Sequence, residues 1–281
     1  MDDPSLTQAL LAHIARCRNA ALPGGRRRFL LSQRHAGYVT PEFAARLSRL
    51  TGFAQHGDAV TCAGQHALHE AVQTLCQEGV LRFRDEAFDV RETETSPPIA
   101  TIDRGALPAF GIAGFGVHIN GIVYRDDIPH LWLAKRAPGR NEAGKLDHIA
   151  AGGIPAGLSP EACLRKEAAE EAAIPPALAA LARPVATIRY TMARPEGLRR
   201  DTLYCYDLIL PPDFTPRPAD GEVESFVLMP FTEVVRLMVE PDAFKFNVNL
   251  VLIELFLRHH ALTGKTAAAL RHALADSTPA A

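Results

Sequence analysis

The chain has 281 residues, 47% hydrophobic and 22% charged, with a formal net charge of −2. This is the composition of a globular chain with a substantial core, and the length admits one large domain or two ordinary ones. The near-neutral balance excludes nucleic-acid binding as an electrostatic speciality. The five scattered cysteines, with no CxxC pair, exclude a zinc-finger site and a disulfide framework.

Reduced thiols suit a cytoplasmic protein, and the acidic start Met1-Asp2-Asp3-Pro4 is unlike the basic start of a signal peptide. The longest apolar run, Val248 to Leu257, is too short for a bilayer and contains Asn249 and Glu254. Neither a nucleic acid nor a membrane is therefore an expected partner.

In chain order, Leu10, Leu11, Ile14 and Cys17 repeat at helical spacing and predict a helix over Thr7 to Cys17. The basic run Arg26-Arg27-Arg28 follows Leu22-Pro23-Gly24-Gly25 and reads as a solvated loop leading into a strand at Phe29-Leu30-Leu31. A helix over Pro41 to Leu50 starts after Thr40 as N-cap, and another covers Ala67 to Glu78 before Gly79. Short strands are expected at Leu81 to Arg84 and Ala87 to Val90. The polar, proline-bearing stretch from Arg91 to Pro98 reads as a linker, dividing the chain into residues 1–100 and 101–281.

Beyond it, Gly116 to Tyr124 and Leu131 to Lys135 predict a strand pair. A helix is expected after Ser159 as N-cap, with Pro160 at its first position and Pro175-Pro176 as its stop. Further strands fall at Val185 to Tyr190, Thr202 to Leu210 and Val223 to Leu228, and helices at Thr232 to Met238 and Asn249 to His259. The Ala-rich tail after Thr263 reads as a final, fraying helix. The pattern implies an α/β sandwich with a mixed sheet, preceded by a smaller α+β domain.

The most informative segment runs from Gly152 to Ile174. Glu167 and Glu171 are four apart and Glu167 and Glu170 three apart, so all three neighbour one another on a helix that follows a glycine-rich turn. Such like-charge pairs repel by roughly a few tenths of a kcal/mol each, a sign that a cation between them reverses. Hard divalent cations take oxygen ligands and bridge carboxylates to phosphates. The segment reads as a metal–diphosphate site.

It resembles the Nudix box of the Nudix (MutT-like) hydrolases. Gly152, Glu167, Ala168, Glu170, Glu171 and Ile174 fit that pattern, whereas Leu158, Lys166 and Ala173 stand where it has Glu, Arg and Gly. Leu158 removes a structural contact, and Lys166 keeps a charge but loses the bidentate fork of Arg. Around the box lie Gly116-Val117-His118-Ile119-Asn120-Gly121, Lys145-Leu146-Asp147, Asp220 to Phe226 and Phe244-Lys245-Phe246-Asn247. With Phe29-Leu30-Leu31 and Ala36 to Phe43, these blocks are similar to one branch of the family, that of the Nudix half of fungal thiamine pyrophosphokinase.

The resemblance implies a Nudix α/β/α sandwich and hydrolysis of a diphosphate linked to another moiety, with Mg²⁺ or Mn²⁺ as cofactor. The substrate would be a thiamine-type diphosphate, especially a damaged or oxidised one, cut to monophosphate and phosphate. Glu167, Glu170 and Glu171 would be the metal carboxylates, with the Ala151 carbonyl as a further ligand and Glu222 or Glu224 as the distant one. One of these glutamates would take the proton of the attacking water. Lys145 and Arg136 are the cations available to hold phosphate. Trp132, Tyr190, Tyr124 and Phe115 are the flat side chains available to stack on a ring, though each also suits a core position.

Two other readings stand beside this one: hydrolysis of nucleoside diphosphate derivatives such as ADP-ribose, and an inactive diphosphate-binding module. Residues 1–100 suit either a cap on the cleft or a homodimer surface. The run Gly139 to Lys145 approaches a P-loop, but Leu146 replaces its Ser or Thr. His118 and His148 have no second ligand at metal spacing in the sequence and read as polar core or surface residues.

Overall fold

The computed structural model describes residues 3–275; Met1, Asp2 and the tail from residue 276 onward lie outside them. Helix α1 (Pro4–Cys17) opens after Asp3, whose carboxylate accepts the amides of Ser5 and Leu6. Its apolar stripe (Leu6, Leu10, Ile14 and Cys17) is buried, but not in the module that follows it in sequence.

That module comprises β1 (Arg27–Leu31), β2 (Arg34–Val39), α2 (Pro41–Leu47), β3 (Phe53–His56), β4 (Ala59–Cys62) and α3 (Gln65–Gln77), then β5 (Ala87–Val90), β6 (Ala100–Asp103) and α4 (Leu107–Phe110). One sheet runs in the order β2-β1-β4-β3, and β5 and β6 form a separate antiparallel pair. Phe29, Leu47, Leu68, Leu75, Phe88 and Phe110 meet in its core. Thr40 caps α2 as its position predicts, its hydroxyl accepting the Phe43 amide. Residues 81–84, expected as a strand, form none. The stretch expected as a linker is the loop of the β5–β6 hairpin, and it is held down: Arg34 pairs with Glu92 at 3.0 Å, and Thr202 donates to Glu94 at 2.9 Å.

The remainder comprises β7 (Ala113–Arg125), β8 (Ile128–Arg136), β9 (Leu146–His148), β10 (Ala150–Gly153), α5 (Pro160–Ala172), α6 (Pro176–Ala179), β11 (Arg183–Arg194), β12 (Gly197–Ile209), β13 (Val223–Pro230), α7 (Phe231–Leu237), α8 (Val248–Arg258) and α9 (Gly264–Ala275). The main sheet runs β11-β12-β7-β8-β13, with β10 added on β7 and β9 on β8; β12 and β7 are parallel and their neighbours antiparallel. Asp126 and Asp127, both at positive φ, make the tight β7–β8 turn.

Strand alternation splits the side chains between two layers. Val117, Ile119, Trp132 and Leu208 pack with α5, while Ile122, Leu131, Leu133, Leu203 and Cys205 pack with α7, α8, α9 and α1. This is a mixed-sheet α/β/α sandwich preceded by a smaller α+β unit. Helix α8 is buried almost throughout, as an apolar run that cannot span a membrane should be. Among the described residues no helix is long and apolar enough to cross one.

Candidate active site

Helix α5 begins where the sequence predicts. The Ser159 hydroxyl accepts the Ala162 amide at 3.1 Å, and Pro160 occupies the first turn. Its apolar face (Cys163, Leu164, Ala168 and Ala172) packs on the sheet. Glu167 and Glu171, one turn apart, lie on that buried side with 9% and 6% exposure, whereas Glu170 faces solvent.

Strand β10 runs against these two carboxylates. The Ala151 amide donates to Oε2 of Glu171 at 2.8 Å. A Cβ on Gly152 would fall 2.2–2.6 Å from the Glu167 carboxylate atoms, and one on Gly153 would fall 2.5 Å from the Phe88 ring. Both glycines are thus required by close approach: one to a carboxylate, the other to the N-terminal module.

Charge at the site is poised for a cation. Burial pushes the Glu167 carboxyl up, against the pull of Lys166, whose ammonium donates to Glu167 at 3.2 Å and to Glu170 at 2.7 Å. Glu171 is pushed well above the usual carboxylate range by burial and then by the charge of Asp147, with the Ala151 amide working the other way. Carboxylates that hold protons so firmly gain from any other cation that replaces them. The donors are all oxygens, and the missing Cβ of Gly152 leaves the Glu167 carboxylate room beside the strand. This set fits a hard divalent ion.

The fold brings some of the remaining candidates to this place and removes others. Glu222 pairs with Arg140 at 3.0 Å, and its charge is among those that raise Glu167. Glu224 sits at the irregularity in the β13–β8 register and pairs with Lys135 at 2.9 Å. Arg136 is drawn inward to Asp147 at 2.9 Å. Lys145 instead reaches Asp242 at 2.9 Å, before α8, because the chain turns there into β9. That same turn rules out a P-loop, since a strand and not a helix follows.

Of the four ring-stacking candidates, Trp132 and Tyr190 are core, whereas Tyr124 is exposed. Trp132 is packed between the sheet and α5. Tyr190 lies in the opposite layer, edge-on to Phe246, its hydroxyl bonded to Asp201. Neither presents a face to a substrate.

A group that the sequence hides stands behind the carboxylates. His118 and His148, thirty residues apart, approach at 2.9 Å between their Nδ1 atoms because β10 pairs with β7 and β9 with β8. With Asp147 they place ligand atoms within 4.8 Å of one another. The Asp147 carboxylate already takes Arg136 and Lys245, each at 2.9 Å on the same oxygen. Burial pushes it up, but Lys245 and the other partners outweigh that and hold it well below the ordinary range. Burial keeps both imidazoles neutral by lowering their pKa. Two cations on one carboxylate leave little attraction for a third, so this cluster is a buried polar network and not a second metal centre. The sequence offered His118 and His148 only as separate polar residues, and the Lys145-Leu146-Asp147 and Phe244-Lys245-Phe246-Asn247 blocks, which pair through Leu146 and Phe244, only as neighbours of the box.

Comparisons with known proteins place the chain in a family. A NUDIX domain is matched over residues 114–250, and a domain of unknown function (DUF4743) over residues 9–114. Nudix hydrolase 20, chloroplastic, of Arabidopsis thaliana is 40% identical over 195 residues, covering 69% of this chain and 52% of that protein. Nudix hydrolase 24, chloroplastic, of the same plant is 35% identical over 244 residues, covering 82% of this chain and 67% of that protein. The chain therefore spans about half to two thirds of the length of these relatives. Among solved structures, the NUDIX domain of Shewanella oneidensis NrtR complexed with ADP ribose is similar with a TM-score of 0.43 at 17% identity, covering 55% of this chain and 92% of that one.

The chain belongs to the Nudix hydrolase family.

Proposed function

We propose that this protein hydrolyses a diphosphate linked to another moiety, with Mg²⁺ or Mn²⁺, and that its substrates are thiamine-type diphosphates, above all damaged or oxidised ones. The observation that carries the hydrolase reading is the buried Glu167–Glu171 pair set against the Gly152 cradle. The thiamine-type substrate is supported by the branch-specific sequence blocks around the box.

Glu167, Glu170, Glu171 and the Ala151 carbonyl would hold the ion. When bound, it supplies charge neutralisation for the diphosphate and acidifies water for attack. The chain's own part is to fix these oxygens. The Ala151 amide orients Glu171, and Lys166 bridges Glu167 and Glu170. Glu222, just before β13, is the distant carboxylate whose charge acts on Glu167, and it or Glu224 would be the distant ligand or proton acceptor. A division into an N-terminal unit and a catalytic one is proposed on the same footing; because β6 and α4 pack in the N-terminal core, it falls after α4 and not at residue 100.

The test is product formation from thiamine diphosphate, oxidised thiamine diphosphates and ADP-ribose, with wild type beside Glu171→Gln, each with Mg²⁺ and with excess chelator. Selective turnover of the thiamine compounds, lost with chelator and reduced at least about 100-fold in the variant, is the expected result. Turnover of ADP-ribose alone discards the substrate and keeps the chemistry. Metal-dependent binding without product on any substrate makes the chain a binding module.

A further inference from the structure

Strand β5 of the N-terminal unit lies directly on the turn that carries the box glycines. The Ala156 amide donates to the Ala87 carbonyl at 2.8 Å, a main-chain bond between the two units. The Phe88 ring, 4% exposed, fills the space that a Cβ on Gly153 would need. Asp89, ion-paired to Arg91 at 2.7 Å, accepts the Gly157 amide at 3.4 Å. Three consecutive residues of one strand therefore touch Gly153, Ala156 and Gly157 of one turn.

This bears on an oddity of the sequence. Leu158 stands where the box has a glutamate, so the turn cannot draw on that side chain for hydrogen bonds. Asp89 brings a carboxylate to the neighbouring amide from outside the box. The next residue up the strand, Gly152, sets the space for Glu167, so a shift of the turn by a fraction of an ångström reaches the carboxylate. Loops lacking such support hold their ligands less well.

We propose that β5 is a positioning element of the active site: Phe88 and Asp89, with the Ala87 carbonyl, hold the 152–158 turn so that Glu167 and the Ala151 carbonyl face one ion. The N-terminal unit then belongs to the machinery of the site and is not a separate passenger. This rests on the metal reading given under Proposed function. The residues act through the turn and do not touch substrate.

The experiment uses the full chain and Mn²⁺ as probe. Phe88→Ala and Asp89→Ala are compared with the conservative Phe88→Leu and Asp89→Asn, reading Mn²⁺ affinity by paramagnetic resonance and amide exchange across residues 152–158 and α5. The expected result is Mn²⁺ affinity weakened about tenfold or more in both alanine variants, with faster exchange at Ala156 and Gly157. Exchange in the middle of α5 stays unchanged, and the conservative variants recover to within about threefold of wild type. Mn²⁺ affinity within twofold of wild type in alanine variants that keep α5 protected overturns the proposal, as does unaltered exchange at Ala156. If wild type itself binds no Mn²⁺, the metal reading fails, and the Ala156 exchange alone decides whether β5 holds the turn.

Discussion

Ala173 ends α5 in the left-handed conformation, at φ 52° and ψ 35°, where the box pattern has glycine. Its amide reaches the carbonyls of Ala168 and Ala169, so the cap is made despite the Cβ. A non-glycine residue there costs about 1–2 kcal/mol. Ala173→Gly removes that strain at the expense of extra freedom in the unfolded chain, and we expect a net gain of about 0.5–1 kcal/mol by chemical denaturation. An unchanged or lowered midpoint would show that the surrounding turn already absorbs the strain. Departures from a motif thus differ in kind: Ala173 keeps the geometry under strain, Lys166 keeps a charge, and Leu158 gives up a contact that β5 answers.

At the scale of elements, α1 shows how a predicted helix can have an unpredicted neighbour. Leu10 is fully buried among the helices that close the far side of the main sheet. Thr7 and Thr266 meet through their hydroxyls at 2.6 Å, and the His13 ring reaches the Met238 carbonyl at 2.8 Å. Leu10→Ala should cost about 2–5 kcal/mol, measured by denaturation of the whole chain. A cost under about 1 kcal/mol would mean that α1 is only loosely docked.

The helical spacing of Leu10, Ile14 and Cys17 made α1 legible, as Ser159-Pro160 did for α5, because caps and periodicity are local. Strands β9 and β10 were not legible. They are three and four residues long with no alternation, and only pairing with β8 and β7 makes them strands. The hairpin loop from Arg91 to Pro98 has linker composition, and the partners that tie it down, Arg34 to Glu92 and Thr202 to Glu94, are distant in sequence. Of the candidate site, the placing of Glu167 and Glu171 on one side of a helix was readable from spacing, and Gly152 from the resemblance to the box. The roles given to Tyr190, Trp132 and Lys145 were not, since burial on a given face depends on register.

Across the whole molecule, four histidines set the response to acid. His13, His35, His118 and His148 all have lowered pKa values, with burial the largest cause in each. Above their unfolded value of about 6.5 they are neutral in both states and cost nothing. As pH falls below it, the unfolded chain binds protons that the folded chain does not. Stability then drops by up to about 1.4 kcal/mol per pH unit for each. Glu171 works in the opposite direction: its raised value means that the folded state takes up the proton first, which favours folding as pH falls. The melting temperature of the metal-free protein should therefore fall between pH 7.5 and 5.5, and fall more steeply in Glu171→Gln. Equal slopes in the two proteins would show that Glu171 does not titrate apart from its neighbours.

The docking of α1 also has a consequence for synthesis. About 230 residues separate its end at Cys17 from the start of α8 at Val248. At roughly 5–20 residues per second, the ribosome leaves the stripe of Leu6, Leu10 and Ile14 without its final partner for roughly ten to fifty seconds. The β1–α4 unit can form during that wait, but the main sheet cannot receive its last layer until α8 and α9 have emerged. While those residues are made, the apolar stripe of α1 stays without its final partner, a natural handle for a chaperone until the molecule closes on itself.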